Sequence, residues 1–142
     1  MTALRHRLER AGTDESGMVT AFVVIFAMAL LAMAGLVLDG GLALAAKVQA
    51  IDDAQAAARA GAQAIDIPLY RATGQVTLDP GEAVIDAKRY LAATGHTGTV
   101  SVTGDEVTVV VHASQATQIL SVVGIDSIGV SGTGSATAEQ AP

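Results

Sequence analysis

Three histidines, His6, His96 and His112, are the first side chains to weigh, because the 142-residue chain contains no cysteine. Thiol catalysis and Cys-based zinc sites are thereby excluded. None of the histidines has a second ligand at metal-binding spacing. His6 precedes a long apolar run, His96 follows a helix stop and His112 ends a strand pattern, so each reads as an exposed surface group. Asp52 and Asp53 are adjacent, about 100° apart on a helix, and cannot share a cation without further ligands. They read as solvated carboxylates. The serines show no G-x-S-x-G elbow and no nearby base. Residues 35–44, "GLVLDGGLAL", are Gly-rich, but they lack the Lys-Ser/Thr of a phosphate loop and the G-x-G-x-x-G spacing of a dinucleotide fold. The expectation is a protein that is not an enzyme, with no metal, no cofactor and no small-molecule substrate.

The elements that would carry such groups begin with the apolar run. Met18 to Leu38 holds no ionisable residue, and eleven of its positions are Val, Ile, Leu or Phe. As a helix it would be roughly 31 Å long, close to the hydrocarbon thickness of a bilayer. Each of those eleven residues favours insertion by about 0.3 to 0.6 kcal/mol, which sums to roughly 3 to 7 kcal/mol. A core helix of a soluble domain is a poor fit, because a small fold cannot cover such a run on every side. A cleaved signal peptide is the other alternative, with Ala43-Leu44-Ala45 as a small-x-small site. A signal core is shorter, however, at about 7 to 15 residues, and Asp39-Gly40-Gly41 separates this run from that site. The expectation is a signal anchor. Arg5, Arg7 and Arg10 precede the span and only Lys47 follows closely, which places the N-terminus in the cytoplasm and the rest outside.

Composition bounds what lies beyond the span. Residues 39–142 carry five basic and eleven acidic groups, and aromatic residues make up 3% of the chain. Nucleic acid is not an expected partner, since that role needs basic stripes and stacking platforms. After Gly41 the chain becomes Ala-rich. Leu44, Val48, Ile51, Ala58, Ala62 and Ile65 recur at helical spacing and form one apolar face. A second row, Ala43, Ala50, Ala54, Ala57, Gly61 and Ala64, contains only small residues. Two readings stand for it: alanine simply favours helix, or Ala50, Ala54, Ala57 and Gly61 form a helix-packing seam toward a partner subunit. On the second reading the domain's own core uses the other face.

Pro68 is expected to end this helix, leaving "YRATGQVTL" as loop. "DPGEAVIDAKRYLAATG" is a well-punctuated helix, with Asp79 as N-cap, Pro80 at the first position, Glu82 completing a capping box and Gly95 as the stop. Val84, Ala87, Tyr90 and Leu91 mark its inner face. "TVSVTGDEVTVVVH" is a hairpin. A Gly104-Asp105 turn pairs Thr103 with Glu106, Val102 with Val107 and Val100 with Val109. A short helix in "SQATQILSVVG" and a strand around Ile128 and Val130 follow, and "SGTGSATAEQAP" reads as a small, polar tail. The expected fold class is α+β: a single transmembrane helix continuing into an Ala-rich helix, then a small domain with a capped helix, a hairpin, a short helix and a final strand. Residues 1–17 would be cytoplasmic, 18–38 transmembrane, 39–136 an extracytoplasmic domain and 137–142 a flexible tail.

An apolar helix just after Gly17, entered through Glu15-Ser16-Gly17 and left through Asp39-Gly40-Gly41, is followed by "AARAGAQA". Together with "VTVVVHASQATQILSVVGIDSIGVSGTGSATA", this order resembles the TadE/TadG-like proteins of Flp (Tad) pilus assembly. The two stretches cover well over half the chain. The resemblance implies a pseudopilin-like protein in the cell membrane, partners among other pilus-assembly (Tad) proteins and no catalytic role. In processed members of that kind a prepilin peptidase cuts after a glycine, here the Gly17–Met18 bond, and an acid lies five positions beyond. This chain has Phe22 there, and acids rather than bases precede Gly17, so the expectation is an uncleaved accessory protein. A generic membrane-anchored binding module is the alternative. It would need a pocket with convergent polar and aromatic groups, and the chain holds only two Tyr and two Phe, both Phe within the anchor.

Overall fold

The computed structural model describes residues 15–139; the expectations for residues 1–14 and for the end of the tail at 140–142 fall outside them. The architecture is α+β. One helix, α1 (Glu15–Gly61), runs for 47 residues, about 70 Å at 1.5 Å per residue. Then come α2 (Ile67–Thr73), α3 (Pro80–Thr94), β1 (Thr97–Thr103), β2 (Glu106–Ala116), a 3₁₀ turn (Leu120–Val123) and β3 (Ser127–Thr137). The strands form an antiparallel sheet in the order β1-β2-β3. The second half of α1 and the whole of α3 cover one face of that sheet.

The hairpin has the register that alternation requires: Thr103 faces Glu106, Val102 faces Val107 and Val100 faces Val109. Its inward valines are the largest side chains fully removed from solvent in the domain, Val107, Val109 and Val111. Helix α3 has the N-cap and the stop that its sequence dictates but not the capping box, because the Asp79 N–H donates to the Ala64 carbonyl rather than to the Glu82 carboxylate. The Asp79 carboxylate accepts from the N–H groups of Gly81 and Glu82, and Gly95 closes the C-terminus at φ 76°. Its buried residues are Ala83, Ala87 and Leu91, whereas Val84 and Tyr90 are only half-buried.

The small-residue row of α1 is internal. Ala50, Ala54 and Ala57 have no exposed surface, and Gly61 is buried against Ala83 and Ala87 of α3. The row therefore packs within the protein, which corrects the reading of it as a seam toward a partner subunit. Leu44 and Val48, expected in the core, are exposed instead, and Ile51 is half-buried. The reason lies on β3. Gly132 and Gly134 sit opposite Val111 and Val109, and a Cβ on Gly132 would lie 2.5 Å from the Ala50 carbonyl oxygen, one on Gly134 2.6 Å from the Ala54 carbonyl carbon. Helix and strand backbones are in contact, with no side chain between them. The spacings agree: four helix residues rise about 6 Å and two strand residues about 6.6 Å, so successive small residues on α1 meet alternate residues of β3.

Three further boundaries differ from expectation. Pro68 begins a helix rather than ending one. Asp66 caps α2 by accepting from the Leu69 N–H, and a proline is tolerated in a first helical turn. The turn after Gly61 is closed by an isolated bridge between Ile65 and Leu78, which frames α2 as an excursion from the main packing. Strand β2 continues through Ser114 to Ala116, so the short helix shrinks to the 3₁₀ turn. Residues 131–137, expected within the tail, complete β3.

Overpacking a helix–strand contact of this kind costs about 1 to 3 kcal/mol. Gly134→Val and Ala54→Leu should each lower the melting temperature of the detergent-extracted protein, by roughly 4 to 8 °C per kcal/mol for a domain of this size. Thermal unfolding followed by circular dichroism measures it. A wild-type melting temperature in both variants would mean the row does not pack as described.

Candidate functional site: the apolar helix and its exit from the fold

Helix α1 has two halves with opposite surroundings. Every residue from Gly17 to Ala34 is exposed, including Val19, Phe22, Ile25, Leu31 and Met33. Among the described residues, the first buried position is Gly35. From there a stripe of Gly35, Asp39, Ala43, Ala50, Ala54, Ala57 and Gly61 faces the domain at steps of three, four or seven. One helix is thus both a free apolar rod and the spine of the core. It is long and apolar enough to cross a membrane. Gly40 and Gly41 stay helical within it, although each costs about 1 kcal/mol relative to alanine in a helix interior.

Asp39 is the sole charged residue on that stripe, and it is only 2% exposed. The sequence leads one to expect it where an apolar helix would leave a bilayer. The structure gives it a partner as well. Its Oδ1 accepts from the Gln118 N–H at 2.8 Å, and its Oδ2 accepts from the Ile119 and Leu120 N–H groups at 3.0 and 2.7 Å. These are the leading N–H groups of the 3₁₀ turn, which have no acceptor within the turn itself. Burial pushes the carboxyl pKa up, but the N–H groups of Leu120, Gln118 and Ile119 outweigh it and hold the pKa below the ordinary 3.8. Gly35, one turn earlier, seats the Ile119 side chain: a Cβ there would lie 2.5 Å from Ile119 Cγ2. The connector from β2 to β3 is thereby clamped to the helix. Sequence reading placed Asp39 at the exit but gave no sign of this clamp, because the partners are backbone groups some 80 residues away.

The other titratable candidates are placed as follows. His96 and Asp53 were both expected on the surface; both are mostly buried, with Nδ1 and Oδ2 3.0 Å apart. The pair forms because α3 runs antiparallel to α1, bringing the residue after the Gly95 stop back beside Asp53. It brings α1 beside the start of β1, although neither Asp53 Oδ2 nor His96 Nδ1 makes a hydrogen bond. His112 is exposed on β2, and Asp52 is exposed on α1. Among the described residues, no three His, Asp or Glu side chains gather in a way that could hold a metal ion. Surface depressions of about 480 and 390 Å³ lie beside Arg59 and Ala136 and beside Leu91 and Gly98. Gly17 and Met18, the residues of the possible processing site, lie in the first turn of α1 and are exposed. No protein-family model, curated protein or solved structure matches the chain.

The Asp39 clamp has a pH signature. A carboxyl with a lowered folded pKa contributes stability fully above its unfolded value, near 3.8, and loses it as pH falls through the lower folded value. Amide exchange at Gln118, Ile119 and Leu120 should therefore stay slow at neutral pH and quicken below the ordinary carboxylate range, once corrected for intrinsic rates. Asp39→Ala should speed it at neutral pH, on the order of tenfold or more. Asp39→Asn should fall between and lose the acid dependence. Unchanged protection in Asp39→Ala would rule the clamp out.

Proposed function

We propose that the chain is an uncleaved, single-pass membrane protein, with its N-terminus in the cytoplasm and its α+β domain outside, acting as a structural accessory of Flp (Tad) pilus assembly or associated secretion. One observation carries the membrane part. Residues 17–34 form an apolar helix that the fold leaves bare, and the same helix continues unbroken into the core. In water such a rod would expose a continuous hydrophobic surface far beyond what soluble monomers tolerate. A bilayer is the environment that matches its length and its lack of charge.

The continuity of α1 also argues against removal at Ala45–Ala46. A cut there would sever Gly35 and Asp39 from the connector they hold. Orientation follows from Arg5, Arg7 and Arg10 before the span against Lys47 after it. The pilus assignment rests on the ordered sequence pattern: Glu15-Ser16-Gly17 before the span, Asp39-Gly40-Gly41 after it, then the Ala-rich helix and the strand–turn–strand ending. On this reading the partners are the membrane and other Tad proteins. They must be met through surfaces other than the small-residue row.

Three measurements test this. A periplasm-active reporter fused after Ala141 should be active, and a cytoplasm-active one silent; the reverse would overturn the orientation. N-terminal sequencing of the membrane-extracted protein should find Gly17–Met18 intact. A mature chain starting at Met18 would make it a filament subunit, and one starting at Ala46 a secreted domain. Deleting the gene in a piliated host should reduce pili at least tenfold, and normal piliation would sink the assembly role.

A further inference from the structure

The connector between β2 and β3 carries apolar side chains that the domain does not use. Ile119 is 37% exposed, Ile125 47% and Val122 85%. Residues 117–125, "TQILSVVGI", contain no ionisable group. Other exposed apolar side chains of the domain, Leu44, Val48, Ile67, Leu69 and Ile85, lie on its helices, whereas those of the connector lie on the loop that packs against the apolar run of α1.

Its position along α1 indicates what covers it. Ile119 packs on Gly35, which lies inside the 18–38 span, about 4.5 Å short of its end at Leu38. A bilayer that surrounds the span therefore reaches the level of Ile119. The backbone of the connector fits the same environment. Non-helical chain is tolerated at that depth only if its polar groups are satisfied by protein. The N–H groups of Gln118, Ile119 and Leu120 go to Asp39. Those of Thr117, Val122, Gly124 and Ile125 go to Asp126, Ile119, Ser121 and Leu120 carbonyls. The Thr117 hydroxyl donates to the Ile125 carbonyl. Seven of the nine N–H groups of the connector thus have an acceptor within the protein.

We propose that the 117–125 connector is a second membrane contact: a foot whose Ile119, Val122 and Ile125 side chains enter the acyl–headgroup boundary beside the span. Asp39 serves it by giving the loop's N–H groups an acceptor where water is scarce. The foot rests on the reading of residues 18–38 as membrane-spanning. It commits the domain to one tilt and one rotation on the bilayer surface.

The absence of native cysteine makes the test direct. Single-cysteine variants of the full chain, Met28→Cys, Val122→Cys and Thr133→Cys, are labelled with an environment-sensitive fluorophore. They are reconstituted into phosphatidylcholine/phosphatidylglycerol vesicles with quenchers at shallow and deep acyl positions. Met28 reports the middle of the span, and Thr133 the exposed sheet face. The expected result is deep quenching at Met28, shallow quenching at Val122 by at least twofold over Thr133, and a blue-shifted emission at Val122. Asp39→Ala in the Val122→Cys background should weaken that quenching. Quenching at Met28 with none at Val122 would overturn the foot and leave the span intact. No quenching at Met28 would overturn the span itself. Val122 protected from soluble quencher only when a protein partner is added, and not by lipid, would assign the tip to that partner and reject the foot.

Discussion

The contact on which the fold depends is between two backbones. Ala50 and Ala54 on α1 meet Gly132 and Gly134 on β3 with no side chain between them. Close packing of this kind gains dispersion over many atom pairs and leaves no void. It also explains how a domain so poor in aromatic residues can have a core. Three valines of β2, Leu78, Leu91 and a bed of alanines suffice, because the layers approach closely enough for small side chains to fill the gap. Larger residues at those four positions would separate helix from sheet and expose the valines.

The same row, followed toward the N-terminus, gives the exit site. Gly35 and Asp39 continue the stripe on which Ala43 and Ala50 lie, so the geometry that seats β3 also brings the connector against the helix. Position 39 differs only in what it meets. Where Ala50 and Ala54 face strand backbone, Asp39 faces the open start of a 3₁₀ turn. A carboxylate there accepts three N–H groups that a small apolar residue would leave without a partner. A charge at the end of an apolar segment is in this way absorbed by the fold.

Much of the fold was legible because local rules sufficed. The hairpin register followed from a two-residue turn and alternating valines, and α3 from Asp79, Pro80 and Gly95. The apolar stretch of α1 needed only composition. What stayed hidden was nonlocal. "SGTGSATA" has the composition of a tail, and its glycines gain meaning only when set against a helix row of matching rise. The small-residue row is legible in the sequence as helix propensity or as a packing seam, but its partner is not, because the glycines that meet it lie in a stretch with the composition of a tail. Asp39 and the connector were illegible for a related reason, since a backbone N–H leaves no mark in a sequence. The pairing of His96 with Asp53 depended on the antiparallel run of α3, which adjacent-residue reasoning does not supply. Among the local signals, Pro68 is ambiguous, because proline both ends one helix and suits the first turn of the next.

The unbroken passage of α1 from bare rod to core has a mechanical consequence. Strand β3 and the second half of α1 run in the same direction, so a pull on either end of the helix, along its axis, loads their contact in shear. Alanine ridges would have to ride over the glycine backbone at several points at once, a stiffer response than peeling them apart singly. With no loop between the apolar rod and the domain to extend first, tension reaches the core at once. The joint that would carry such a pull is the same surface that folds the domain.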